Sequence, residues 1–560
     1  MGDRAQISIK ATALAVVVPL VLVACGGGGS SASSSGSTST ATAIMGDDAL
    51  RLADQAAFGP TPPLVAQISQ QGSAWIDSQI QVPATGYPAL ATVSPNPAVG
   101  CPPTLPAGNT CFRDNYSAFP IQRVFFQNAL TGSDQLRQRV ALAYSQIFVV
   151  SSVQIAPAYA LREYQQMLLD DAFVNFRQIL QDVTLSPVMG AFLNMANNNK
   201  ANPAKGISAN ENYAREVMQL FSIGVNKLNP DGSLVQQSGA PVPTYDQGTI
   251  EGFANLLTGW TYPTAPGAAA KPNNPEYFIG AMIPVDANHD TTPKVLLDGK
   301  TLAANQTAQA DLQQGLDMIF NHPNVGPFIG KQLIQFLVSS NPSPAYVARI
   351  TAVFGDDGTG TRGNMAAVIK AILLDPEARG STIADPNYGK LREAVVDVVA
   401  VLRALNGSSD GVYPISAANS MGQPLFGPYT VFSFYPPTYP LPGSSTLLAP
   451  QFGILNTATA LARLNFLNNL LYSANGIAPA ANVPGATGTR IDLSLYEANA
   501  ADPNVLVSQF DANVLHHTIS AGESAAIVPA VSAVAATDGL NRARAAAYLV
   551  LASPRYQITR

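Results

Sequence analysis

The run Glu211-Asn212-Tyr213-Ala214-Arg215-Glu216 concentrates two carboxylates, an amide and a guanidinium in one short segment. On a helix, Glu211 and Arg215 are four apart and share a face, as do Asn212 and Glu216. A carboxylate pair oriented by Arg215 can bind a divalent cation or act as acid and base. The same residues also suit plain architecture, with Arg215 paired to Glu211 and Glu216 bonded to a neighbouring helix. Glu211 and Glu216 are five apart and not superposed, so shared coordination needs a second segment. His289-Asp290, in a loop before a hairpin, is the best candidate, because a histidine beside a carboxylate can ligate a metal or hold a defined tautomer. The candidate catalytic set is therefore Glu211, Arg215, Glu216, His289 and Asp290, and the candidate metal ligands are Glu216, His289 and Asp290. The chain has 4 histidines. His322 precedes Pro323 and reads as a capping residue; His516-His517 stands in a weakly patterned region. There is no Gly-x-Ser-x-Gly elbow, no His-Glu-x-x-His and no cysteine left for catalysis. Asp356 and Asp357 lie in a glycine-rich run that lacks the alternation of a calcium loop and reads as a turn.

The elements that must position these groups are mostly helices. Apolar residues recur at helical spacing over 134–150, 159–171 and 173–184, with a short helix expected from Pro187. Ser208 to Glu211 has a capping-box pattern opening a helix that stops at Gly224, and Asp246 can cap the next. Further helices are expected over 310–320, 325–339, 344–354, 364–374, 386–405, 457–471 and 541–552. Strand signals are few: a hairpin over 295–302 with an Asp-Gly turn, and a turn at Asn229 to Gly232. Residues 82–109, 263–275, 407–445 and 474–490 are rich in Pro and Gly and read as long loops. Six aromatics, Phe426, Tyr429, Phe432, Phe434, Tyr435 and Tyr439, fall within 425–442. They can stack on sugar rings or a partner peptide, or pack their loop onto the helices, and packing is the preferred reading. The expected fold is mainly α, a large multi-helix domain over 45–560 with one or two short β-hairpins and a possible subdivision near 385.

Composition narrows the function classes. The chain is 47% hydrophobic but only 12% charged, with net charge −6 and no basic run, which argues against nucleic acid as a partner. Leu22-Val23-Ala24-Cys25 closes a short apolar run that begins after Arg4 and Lys10. It resembles the lipobox of bacterial lipoproteins, in which the cysteine is lipidated and tethers the protein to a membrane. The run is shorter than the ~20 apolar residues a spanning helix needs. Residues 1–24 are thus expected to be a lipoprotein signal peptide and 25–44 a Gly/Ser-rich tether. Gly26 follows the cysteine where inner-membrane retention would call for Asp, which favours the outer membrane, with a periplasmic or surface-exposed body. Cys101 and Cys111, in an exported chain, read as a disulfide.

Glu211 to Phe221 resembles the signature of a large bacterial family known as DUF1800. Phe58-Gly59-Pro60-Thr61, Gly259-Trp260, His289-Asp290-Thr291, Lys390-Leu391-Arg392-Glu393, Leu425-Phe426-Gly427-Pro428 and Ser553-Pro554-Arg555-Tyr556 are similar to further blocks, in order. The resemblance implies an exported, mostly helical protein with no established activity. It also suggests a co-exported DUF1501-family partner. Many members carry Trp-His-Asn-His-Phe where this chain has Tyr144-Ser145-Gln146-Ile147-Phe148, so any metal held by those histidines loses its ligands here. Two functions are therefore expected. The first is an envelope-anchored binding or scaffold lipoprotein, acting with a co-exported partner or a surface polymer. The alternative is an envelope hydrolase using the Glu/His/Asp site with or without a cation.

Overall fold

Helix Ala394–Ala404 runs through the middle of the body and is buried along almost its entire length. Its sequence, Ala-Val-Val-Asp-Val-Val-Ala-Val-Leu-Arg-Ala, is apolar all round, the pattern of a helix with neighbours on every side. Its two charged residues are each answered locally. Asp397 meets Arg463 at 3.2 Å. Arg403 donates to the carbonyls of Gly59 and Leu130 and to Gln135 Oε1. Gly59, at φ 112°, lies against this helix so closely that a Cβ would stand 3.1 Å from that of Ala400. Only glycine combines that φ with that approach.

The computed structural model describes residues 41–106, 108–380, 385 and 387–560. Cys25, the lipobox and most of the expected tether lie outside the described residues. Residues 41–560 form one compact unit, mainly α, with 25 α-helices among the described residues. The segment before the first helix is already docked: the Thr42 backbone exchanges hydrogen bonds with Ser73, and Ile44 is buried.

Most expected helices are present within a few residues of their predicted bounds, among them Gln135–Ile147, Ala158–Asp170, Phe176–Leu185, Val325–Leu337 and Thr457–Tyr472. Side chains cap many of them: Asn175, Asp246, Ser343 and Asn364 each accept from a first-turn amide, and Asn456 and Ser520 complete capping boxes. Two expectations are corrected. Ser208 is no cap; helix Asn212–Gln219 opens at Glu211, and Asn210 Oδ1 accepts the Asn212 amide. The helix expected over 386–405 begins only at Ala394, because Lys390–Leu391 is an extended strand paired antiparallel with Ile558–Thr559. That pairing joins the C-terminus to the central helix.

Five two-stranded antiparallel ladders occur among the described residues. Two are local hairpins. Gln236–Gln237 pairs with Ala240–Pro241, and Lys294–Val295 with Thr301–Leu302 around Asp298 and Gly299, both at positive φ. The other three clip distant segments together, which local sequence patterning does not reveal. Cys101 and Cys111 pair as a disulfide with Cα atoms 5.8 Å apart.

Candidate functional site

The carboxylate helix is wired for architecture at its start. Arg215 Nη2 donates to Glu211 Oε2 at 2.9 Å, and Gln247 from the next helix donates to the same oxygen at 3.0 Å. Asn212 turns away to Asn194 Oδ1. Glu216 is half-buried; its Oε2 is buried without a hydrogen-bond partner among the described residues. Burial raises its carboxyl pKa, partly offset by Arg215. Its charge and burial together push Tyr245 up to about 12, with burial the larger cause.

His289 is fully buried after the turn Asp286–Asn288. Gly259, at φ 82°, makes room for it, since a Cβ there would stand 2.8 Å from the His289 Cβ. The ring is used at both nitrogens: Nδ1 donates to the Thr258 carbonyl at 2.9 Å, and Nε2 faces Asp311 Oδ2 at 3.0 Å. Lys294 Nζ reaches the same Asp311 oxygen at 2.9 Å and the carbonyls of Asp290 and Thr292. Asp290 accepts from the Thr292 amide and hydroxyl. Burial opposes its charge, but those bonds and Lys294 hold its carboxyl below the usual range. Both His289 ring nitrogens are therefore occupied by protein partners, and Asp290 is committed to its own turn. Among the described residues no three His, Cys, Asp or Glu are gathered as a metal would require. The expected set Glu216, His289 and Asp290 is thus not assembled into a cation site.

The remaining histidines are structural as well. His322 Nδ1 accepts the Asn324 amide just before helix Val325–Leu337; the N-cap position itself is Asn324, so His322 is not the expected cap. His516 lies 3.2 Å from Asp54, and His517 lies 2.6 Å from Asp47, joining the C-terminal region to helix Asp47–Ala56. Asp356 and Asp357 accept amides of their own turn, and the Thr359 hydroxyl, then the Asn364 side chain, then the Thr359 amide lower Asp357 to about 2.

Sequence reasoning missed the residue on which the motifs converge. Glu393, 1% exposed, accepts four hydrogen bonds. Arg139 Nη1 donates to Oε1 at 3.1 Å; Gln146, Gln423 and the Tyr435 hydroxyl donate to Oε2 at 2.9, 2.8 and 3.1 Å. Burial works against this charge, but Arg139, Lys390 and the amide donors outweigh it and lower its pKa. Gln146 stands where the two-histidine run is replaced, so that place serves a carboxylate. Alongside, Arg392 pairs with Asp54 at 2.8 Å. Lys390 donates to the Phe336 carbonyl and is pushed down to about 7, chiefly by burial and then by Arg139. All of these groups are sealed from solvent, which makes this seam a foundation for the loop that it holds.

A second overlooked group is Asp171, 8% exposed, with Oδ2 lacking a hydrogen-bond partner among the described residues. It lines a 640 Å³ groove with Asp170, Arg162, Glu163 and Gln166. Burial, then Asp182 and Asp170, push it up to about 7.

The loop held by Glu393 is the most exposed candidate. Residues 411–462 contain no Asp, Glu, Lys, Arg or His, and neither do 140–161, which lie against them. Phe426 is buried in a ring cluster with Phe125 and Tyr87. The Leu425 carbonyl accepts from Gln122, the Phe426 carbonyl from the Ser152 amide, and the Pro428 carbonyl from Ser151 Oγ. Tyr435 is buried on Glu393, and the Pro437 carbonyl accepts from Gln335. Between these anchors Tyr429 stands 77% exposed and Phe432 47% exposed, with Val153 65% exposed on the adjoining segment. Phe426 and Ser433 hold left-handed φ of 61° and 63°, a cost of order 1–3 kcal/mol each that the anchors must sustain. The aromatic stretch is thus divided: Phe426 and Tyr435 pack, while Tyr429 and Phe432 are displayed.

The chain belongs to the family described as "Protein of unknown function (DUF1800)", whose model matches residues 51–558. No curated protein and no solved structure matches it.

Proposed function

We propose that this chain is a lipid-anchored binding protein of the bacterial cell envelope, held through Cys25, outer membrane in preference to inner. The displayed loop around Tyr429 and Phe432 is its binding element. The observation that carries the reading is the division of one loop into buried anchors and displayed rings. A protein does not ordinarily leave adjoining large apolar groups in water unless something covers them. Rings fixed by anchors on both sides lose little conformational freedom on binding, which is how rigid aromatic contacts supply affinity. The binding counterpart is a co-exported partner, of which a DUF1501-family protein is the first candidate, or a surface polymer. No helix among the described residues is long and apolar enough to cross a membrane.

Two experiments test the parts separately. A photo-crosslinking amino acid placed at 429 or 432 in native envelopes should give discrete adducts, and the same residue at exposed Val295, in the hairpin, should not. Equal labelling from all three positions, or none, would remove the loop from the reading. Cys25→Ser should move the chain from the membrane pellet to the soluble fraction. An unchanged distribution would remove the anchor.

A further inference from the structure

Resting on that reading of the loop, we infer that its ligand is an uncharged polysaccharide. The first argument is electrostatic. At 12% charged residues, a stretch as long as 411–462 should carry several charges, yet it has none, and the exposed residues that abut it, Val153 and Gln154, are uncharged too. Such a face neither steers anions nor pairs with them, so an anionic polymer or lipid surface gains nothing there. Protein–protein hot spots favour Arg beside Tyr and Trp, within a polar rim. The guanidiniums behind the loop, Arg139 and Arg392, are committed to the interior, on Glu393 and Asp54.

The second argument is the chemistry displayed. The face of an aromatic ring is electron-rich. The axial C–H groups of a pyranose are electron-poor and lie in one plane, so ring and sugar stack without charge on either. Tyr429 and Phe432 supply two such faces. Thr430, between them, and Gln154, beside Val153, are exposed neutral hydrogen-bonding groups suited to sugar hydroxyls. The third argument is shape. Small molecules are held in cavities that enclose most of their surface, whereas these rings project outward and neither lines the 710 Å³ groove beside Pro60 to Pro63. A polymer lying across the surface fits rings that project.

The test is native gel electrophoresis of the full, detergent-solubilised chain through gels containing dextran, galactomannan or xyloglucan, with alginate as the anionic comparison. Retardation is expected in at least one neutral gel, unchanged between low and high salt. Tyr429→Ala with Phe432→Ala should weaken it by about tenfold or more, the loss typical of removed aromatic anchors. Tyr429→Phe should retain binding, because the ring face remains. Thermal unfolding of each variant guards against misfolding. Retardation only by alginate, or in no gel, overturns the inference. If in that case cross-linking from residue 429 captures a protein in the native envelope, the loop stands as a binding element with a different ligand. If it captures nothing, both readings fall.

Discussion

Around Glu393 the protein buries Arg139, Lys390, Arg392 and Arg463 together with Asp54 and Asp397. The loop that leans on this seam through Tyr435 has no charged residue and displays Tyr429 and Phe432 to water. At this seam charge therefore lies inside, where it fixes position, and the loop that covers it is uncharged. Buried ion pairs seldom add net stability over an apolar packing of the same volume, but removal of one partner strands the other at high cost. They do fix geometry, because each donor must meet its acceptor. Four donors hold Glu393, two of them, Arg139 and Gln146, from helix Gln135–Ile147 and two, Gln423 and Tyr435, from the charge-free stretch itself. A search that begins from carboxylates and histidines, the usual carriers of chemistry, arrives in this protein at its framework.

The largest effect should come from the seam. Glu393→Ala removes the acceptor for Arg139, Gln146, Gln423 and Tyr435 and leaves a guanidinium buried with only the Phe336 carbonyl. A loss of about 3–5 kcal/mol is expected, read as a lower denaturant midpoint, with the loop released. A midpoint shift below about 1 kcal/mol would show that the seam does not hold the loop.

Asp171 sharpens the comparison from the other side, as a buried acid set beside Asp182 and Asp170. Its folded pKa is about 7 and its unfolded value 3.8. The folded state therefore binds more protons between those values, and stability declines as pH rises from about 4 to 7. One group treated alone accounts for up to about 4 kcal/mol across that window. Asp171→Asn should flatten the decline, measured by urea unfolding at a series of pH values. An unaltered slope would place the titration elsewhere.

His289→Ala should cost about 2 kcal/mol, since it deprives Asp311 of one partner and leaves Lys294 as the other. Metal content should be the same in wild type and variant. A bound metal lost together with the histidine would break the assignment of this cluster to architecture.

These contrasts also define what the sequence could disclose. Helix identity followed from periodicity, and its errors fall where a tertiary contact overrode local preference: Lys390–Leu391 extends because Ile558–Thr559 is there to pair with it. The pairing of Glu211 with Arg215 was legible because both lie on one helix. Glu393 was visible only as part of a family block, since its donors come from positions as distant as Arg139, 254 residues away. The partners of His289 were equally hidden, because Asp311 is 22 residues on and nothing in its local pattern marks it. Within 425–442 the composition announced six aromatics, but which of them face water depends on backbone at Phe426 and Ser433 that local propensity disfavours.

The smallest stability effect, and the most telling, separates two tyrosines of that one loop. Tyr435 is 5% exposed, and its hydroxyl donates to Glu393 Oε2 at 3.1 Å. Tyr435→Phe deletes that donor from a charged acceptor and should cost about 1.5–3 kcal/mol. Tyr429 is 77% exposed. Tyr429→Ala should leave the unfolding midpoint within about 0.5 kcal/mol of wild type, as surface substitutions do. If Tyr429→Ala instead destabilised the fold as much as Tyr435→Phe, the ring would be a packing residue and the neutral face would lose its functional meaning. If it left stability intact and abolished adducts from position 432, the same loop would be shown to divide its aromatic rings between holding itself in place and holding a ligand.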